Sequence, residues 1–238
     1  MQRISFVMVL LLSLCILPAT SLADGFGINA SRLIYPQGTD SISVSVRNTT
    51  ASQPYLVQAR VSRAQASYQP APFIVRPPIF RLEPGTVNQL RISAQHIDAP
   101  TDRESLFYFH ASAVPASNTP GEQNSASKVH GATQFGVGSI IKLFYRPNAL
   151  PSTSRAAQEN LQFSRVDGGI KAENASPYFI SFASLQVGGQ TIRLDTPEKL
   201  TIAPFSHQIF KTNAARGDVR WQTINDEGVV NAFTQTLP

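Results

Sequence analysis

The stretch "SISVSVRN", Ser41 to Asn48, carries an apolar side chain at every second position. In an extended chain Ile42, Val44 and Val46 point to one face, and the serines and an arginine point to the other. Period-two alternation is typical of a strand that is buried on one face and solvated on the other. We therefore predict a β-strand here, in a sheet with a core on one side.

The same alternation recurs along the chain, as in "PYLVQARV" and "VNQLRIS". "SLFYFHASAV", Ser105 to Val114, is apolar at both parities, which predicts a central strand covered on both faces. Turn-forming stretches such as "YPQGTD" and "LEPGT" separate these runs, and no window predicts a long amphipathic helix. This pattern predicts an all-β chain built of sandwiches.

A boundary follows the strand that ends at Arg146. "PNALPSTS", Pro147 to Ser154, contains two prolines and small polar residues, as interdomain links commonly do. Strands resume in "NLQFSRV", which precedes the turn signal "DGG". We predict two β-sandwich domains, residues 24–146 and 153–238, joined by a linker at 147–152.

The N-terminus predicts export. Arg3 precedes the apolar run Ile4 to Pro18, and Ser21 and Ala23 supply the small residues of a signal-peptidase site. We expect residues 1–23 to be a signal peptide. Cys15, the one cysteine of the chain, would leave with it, so the mature protein is predicted to have no disulfide.

Several function classes are disfavoured by motif. The net charge of +5 is dispersed, without the Lys/Arg run of a nucleic-acid-binding protein. The sequence contains no GxSxG, phosphate-loop or HExxH motif, and its four histidines are scattered. We therefore expect a protein that is not an enzyme, with no metal and no cofactor.

Lys142 stands inside the otherwise apolar strand "SIIKLFYRP", Ser139 to Pro147. A lysine there can be an edge guard that points into water and discourages sheet pairing. It can also wait for an anion, because an unpaired buried ammonium is costly. The residues by themselves leave both interpretations open.

The stretch before it, "VHGATQFGVGSIIK", follows the segment Pro115 to Lys128, which lacks apolar anchors. One parity carries Val129, Thr133, Phe135 and Val137. These side chains indicate either an exposed edge strand or a strand that packs into its own core.

Three stretches in this order resemble the periplasmic chaperones of the chaperone–usher pathway: "ASRLIYPQG", "RLEPGTVNQLRI" with "DRESLFYFHASAVP", and "IIKLFYRP". The resemblance implies two immunoglobulin-like β-sandwich domains at an angle, with a cleft between them. It also implies a periplasmic location and two partners, namely pilus or fimbrial subunits and an outer-membrane usher.

The resemblance further implies a mechanism, donor-strand complementation, in which the chaperone lends a strand to an incomplete subunit. The groove-filling residues would be Val129, Thr133, Phe135 and Val137, although the family usually has a large aliphatic residue where Thr133 stands. By the same resemblance, Arg32 and Lys142 would hold the C-terminal carboxylate of the subunit.

The family also joins its domains through a buried ionic cluster, which maps to Glu104, Arg146 and Asp226. An exposed donor strand would allow self-association of the free protein. Two alternatives remain: a secreted structural subunit or adhesin of a surface fibre, and a sandwich-fold hydrolase. A subunit would be expected to carry an N-terminal donor extension, whereas "DGFGINA", Asp24 to Ala30, is short and rich in glycine.

Overall fold

The computed structural model of this chain describes residues 25–66, 69–116, 135–214 and 216–237. The strands of its N-terminal half are β1 (Phe26–Ile28), β2 (Arg32–Pro36), β3 (Ile42–Asn48), β4 (Tyr55–Ser62), β5 (Phe73–Arg76), β6 (Ile79–Leu82), β7 (Val87–Ala94), β8 (Ser105–Pro115) and β9 (Val137–Arg146).

The C-terminal half consists of helix α1 (Ser154–Glu159) and strands β10 (Gln162–Val166), β11 (Gly169–Asn174), β12 (Ile180–Val187), β13 (Gln190–Thr191), β14 (Thr201–Ile202), β15 (Ser206–Lys211), β16 (Gly217–Ile224) and β17 (Val230–Leu237). Within the described ranges, no helix is long and apolar enough to cross a bilayer.

The first sandwich packs the sheet β1-β3-β7-β5 against the sheet β2-β9-β8-β4-β6. Its strands pair antiparallel except β2 and β9, which run parallel. Val46 on β3, Leu90 on β7, Phe109 on β8 and Leu143 on β9 are fully buried between the two sheets. The strand predicted from "SISVSVRN" is confirmed as β3, with Val44 and Val46 in this core.

The second sandwich has its own core. The sheet β10-β11-β15 faces the sheet β13-β12-β16-β17, with β14 paired to β12. Ile180, Phe182, Phe210 and Trp221 are buried between them. The predicted all-β architecture of two sandwiches is confirmed.

One strand prediction needs correction. β8 is central, with β4 on one side and β9 on the other, but only one of its faces is covered along its whole length. Phe107 and Phe109 are buried, whereas Ser112 and Val114 on the opposite face are exposed. Apolar residues on the second face of β8 did not indicate a covering layer, because roughly half of any protein surface is apolar.

Candidate functional site

Arg146, at the end of β9, binds one carboxylate from each half of the molecule. Its Nε donates to Glu104 Oε1 at 2.7 Å, and its Nη1 and Nη2 donate to the two oxygens of Asp226 at 2.7 and 2.9 Å. Its guanidinium also stacks over the ring of Tyr178, 5.1 Å from the centroid. The structure thus brings together Glu104, Arg146 and Asp226, hereafter the ionic cluster.

The two carboxylates differ in their electrostatics. Only 2% of the Glu104 side chain is exposed, and burial raises its pKa even though Arg146 and the Phe179 N–H, 2.8 Å from Oε2, act against that rise. Burial is also the largest influence on Asp226 and acts in the same direction, but the hydrogen bonds and charge of Arg146, the Ser154 hydroxyl and the charge of Arg32 together outweigh it, so the pKa of Asp226 is lowered. The single guanidinium of Arg146 therefore compensates the negative charge of two carboxylates, one deeply buried and one half-buried.

Helix α1 connects the ionic cluster to the core of the second sandwich. Ser154 Oγ donates to Asp226 Oδ1 at 3.1 Å, and Gln158 Nε2 donates to Ser154 Oγ at 3.3 Å. The backbone carbonyl of Gln158 accepts from the indole N–H of Trp221 at 3.0 Å. Sequence reasoning missed Ser154 and Gln158, because a glutamine in a short polar segment has no local signature of burial.

Arg32 and Lys142 lie side by side. They are partners in the parallel ladder of β2 and β9, and their neighbours Leu33 and Leu143 belong to the first core. Since alternate residues of a strand face opposite ways, both cations point away from that core, toward the second sandwich. Phe144, on the same face as Lys142, lies under the Arg32 guanidinium, 5.7 Å from its ring centroid.

Among the described residues, each of these cations donates one hydrogen bond to the second sandwich. Arg32 Nη1 donates to the Ile224 carbonyl oxygen at 2.7 Å, and Lys142 Nζ donates to Thr201 Oγ1. The turn after β16 lies against the first sandwich, where a Cβ on Gly228 (φ 82°) would come within 2.5 Å of Ser31 Oγ. Close packing at this turn therefore holds Ile224 and Asp226 beside β2 and β9.

The two cations have no anionic partner within the described ranges of the chain. Burial, and secondarily the charge of Arg32, lowers the pKa of Lys142 to about 8. Burial also lowers the pKa of Arg32, although the charges of Asp226 and Glu104 oppose it. Arg32 Nε is buried without a hydrogen-bond partner among the described residues. Two adjacent, partly desolvated cations with unused donors form a site suited to an anion.

An open strand edge begins next to this cation pair. β9 pairs with β8 from Val137 to Tyr145, but β2 joins its other edge only from Lys142 onward. In the described part of the chain, the outer edge of residues 137–141 therefore has no strand beside it. Phe135 is 78% exposed and Val137 46%, although both share the parity of the buried Leu143. Val129 and Thr133 lie outside the described residues.

No cluster of His, Cys, Asp and Glu side chains that could hold a metal ion occurs among the residues described. His110 forms a hydrogen bond with Ser62 at 2.6 Å and is buried on β8. That histidine is a packed structural residue in this geometry.

Comparison with known proteins gives a consistent result over both halves. Residues 25–151 match the family "Pili and flagellar-assembly chaperone, PapD N-terminal domain", and residues 156–235 match "Pili assembly chaperone PapD, C-terminal domain". The chain is 37% identical over 208 residues to the probable fimbrial chaperone protein ElfD of Escherichia coli O157:H7, covering 86% of this chain and 83% of ElfD.

Two solved structures share this fold. One is a chain of the Salmonella enterica SafA pilin in complex with the SafB chaperone, with a TM-score of 0.75, 34% identity and coverage of 92% of this chain and 99% of that one. The other is the E. coli chaperone DraB, with a TM-score of 0.75, 31% identity and coverage of 90% and 97%.

Proposed function

The chain belongs to the family of pili assembly chaperones, and from this premise we propose that it binds, folds and caps pilus or fimbrial subunits by donor-strand complementation. It then delivers them to an outer-membrane usher. One observation carries the proposal: among the described residues, an open strand edge with exposed apolar side chains ends at a pair of cations that lack an anionic partner.

The open edge supplies what an incomplete sandwich lacks. Unpaired backbone N–H and C=O groups along residues 137–141 can form a ladder with almost any sequence. Exposed Phe135 and Val137 would fill the hydrophobic groove of the subunit. Thr133 and Val129 would continue the same face. The pilin in the Salmonella complex identifies the class of partner that we extend to this chain.

The cation pair would set the register in which the donor strand pairs with the subunit. A terminal carboxylate held by Arg32 and Lys142 sits where the open edge ends, ~17 Å from Val137 at about 3.3 Å per residue. A slip of one residue would turn Phe135 and Val137 away from the groove, because side chains alternate along a strand. The anchor would therefore define which donor residue enters which pocket.

The proposal also includes the cellular location of the protein and the boundaries of its domains. Residues 1–23 direct export and are removed, and the protein acts in the periplasm. Residues 24–146 form the domain that carries the donor strand, 147–152 the linker and 153–238 the second domain. Without a subunit, the open edge of one copy can pair with that of another, so we propose self-association of the free protein.

Val137→Asp tests the donor strand. A charge on a residue that must enter an apolar groove is expected to lower recovery of co-expressed subunit at least tenfold. The measurement is the molar ratio of subunit to tagged chaperone after co-expression with the pilin encoded beside it. Val87→Asp is the matched control, since Val87 is 61% exposed on a strand of the other sheet. Equal recovery with the two variants would refute donation by β9.

Anchoring by Lys142 predicts a pH dependence of binding. In the free protein the pKa of Lys142 is about 8, and a bound carboxylate raises it. The affinity is then full below about pH 8 and falls as pH rises, by up to tenfold per unit. Calorimetry of a C-terminal subunit peptide in two buffers of different ionisation enthalpy should detect proton uptake above that pH. Lys142→Arg, which stays charged, should bind without this dependence; an identical pH profile would exclude Lys142 as the titrating group.

A further inference from the structure

Two hydroxyl groups of the second sandwich lie beside the cation pair. Ser181 on β12 and Thr201 on β14 are partners in an antiparallel ladder, so both side chains leave the same face with Cβ atoms ~5 Å apart. The preceding pair of that ladder, Ile180 and Ile202, is buried in the second core. The two hydroxyls therefore point away from that core, toward the first sandwich.

Contacts with the first sandwich show what covers this face. Thr201 Oγ1 accepts a hydrogen bond from Lys142 Nζ. Phe179, two residues before Ser181 in the chain, stacks against Phe144 with ring centroids 5.6 Å apart. Ser181 is the ladder partner of Thr201, lies two residues after Phe179 and is 3% exposed, so we infer that it is buried near the contact between the two sandwiches.

Ser181 Oγ has no hydrogen-bond partner among the described residues. A buried hydroxyl without a partner is destabilising, and native proteins contain few of them. Alanine at this position would avoid the cost of the unbonded hydroxyl, so the presence of serine needs a reason other than the stability of the free protein. A ligand that brings a hydrogen-bond acceptor to this hydroxyl would supply that reason.

Several donors gathered here are left without an acceptor among the described residues. Thr201 Oγ1 accepts from Lys142, which leaves its own proton unused within the described part of the chain. The Nε–H of Arg32 is also buried and has no acceptor among the described residues. A carboxylate has about four acceptor positions and no donor, which complements this set.

We propose that Ser181 and Thr201 are anchor residues for the terminal carboxylate of the subunit, donating hydrogen bonds to it from the side opposite Arg32 and Lys142. This inference rests on the proposed function and adds the second domain to the binding site. The cations hold the anion from the first domain and the hydroxyls from the second, so neither domain by itself forms the complete site.

The test uses the C-terminal peptide of the pilin encoded beside this chain, as the free acid and as the C-terminal amide. Both are titrated into the full chain as wild type, Ser181→Ala, Thr201→Val, and the conservative variants Ser181→Thr and Thr201→Ser. Ser184→Ala is the control, because Ser184 lies on the same strand but bonds to Gln222 on an exposed face. Ser181→Ala removes no hydrogen bond among the described residues, so this variant is expected to fold.

Each lost hydroxyl is expected to weaken binding of the free acid about tenfold, as for a hydrogen bond to a charged acceptor, and to leave the amide affinity unchanged. The conservative variants should restore acid binding. If wild type does not prefer the acid, carboxylate anchoring itself fails, and this inference with it. If wild type prefers the acid but Ser181→Ala and Thr201→Val keep the full preference, or lose acid and amide affinity equally, the cation anchor stands and the role of the hydroxyls is overturned.

Discussion

Replacing Lys142 by methionine is expected to abolish recovery of the subunit and, at the same time, to stabilise the free chaperone. The two effects have one cause. Lys142 is held as a partly desolvated cation beside Arg32, and the only group that it bonds among the described residues is the neutral hydroxyl of Thr201. This arrangement is unfavourable until an anion arrives.

The stabilisation has a defined sign and pH window. The pKa of Lys142 is lowered from 10.5 to about 8 on folding, so folding disfavours the charged form. The penalty is full below about pH 8, shrinks as pH rises, and is gone above the pKa of the unfolded chain. Lys142→Met should therefore raise the free energy of unfolding by about 1 to 3 kcal/mol at neutral pH, and by less near pH 10.

Urea unfolding at these two pH values and co-expression with the pilin together provide the measurement. Lys211→Met is the control, because Lys211 is exposed on β15 and should change neither stability nor capture. An edge guard that points into water would behave differently: its loss would leave capture intact and the stability unchanged. That outcome would refute anchoring of the subunit by Lys142.

Replacing Arg146 by alanine is expected to destabilise the protein by about 3 to 5 kcal/mol, as when one partner of a buried ion pair is removed. Glu104 would remain buried without its cation, and Asp226 would lose two hydrogen bonds. The single tryptophan of the chain, Trp221, allows the loss to be followed in the second sandwich, where its indole bonds to Gln158.

The destabilisation should diminish in acid. Without Arg146 the pKa of Glu104 rises further, because only the Phe179 N–H then opposes the upward effects of burial and of the Asp226 charge. The cost of its charge is lost as pH falls through that raised pKa. The double variant Arg146→Met with Glu104→Gln removes the guanidinium and the deeply buried carboxylate, so it should recover the part of the stability lost through the buried charge of Glu104, while Asp226 still lacks its two hydrogen bonds.

Lys199→Ala is the matched control, since its ion pair with Asp195 is 39% and 48% exposed and such pairs contribute about 0.5 kcal/mol. If Arg146→Ala costs no more than this control, the ionic cluster does not hold the two sandwiches together. If its cost does not diminish as the pH is lowered, the buried charge of Glu104 is not the cause.

The strands could be predicted because their signal is local. Period-two alternation in β3 needs no knowledge of distant residues, and turn residues mark where strands end. The exposed second face of β8 shows the limit of that signal. Apolar residues at both parities do not say whether another layer of structure covers the second face, because coverage depends on remote parts of the chain.

The sequence by itself determined the all-β class, the two sandwiches and the family, since alternation and short motifs are properties of neighbouring residues. Only the tertiary structure decided that Arg32 and Lys142 lie side by side with no anion near them among the described residues, that residues 137–141 keep one edge unpaired in that same part of the chain, and that Gln158 and Ser181 are buried. These features depend on strand register and on the contact between two separately packed cores. Register and interdomain contact join residues far apart in the chain, and no local pattern encodes what such a residue will meet.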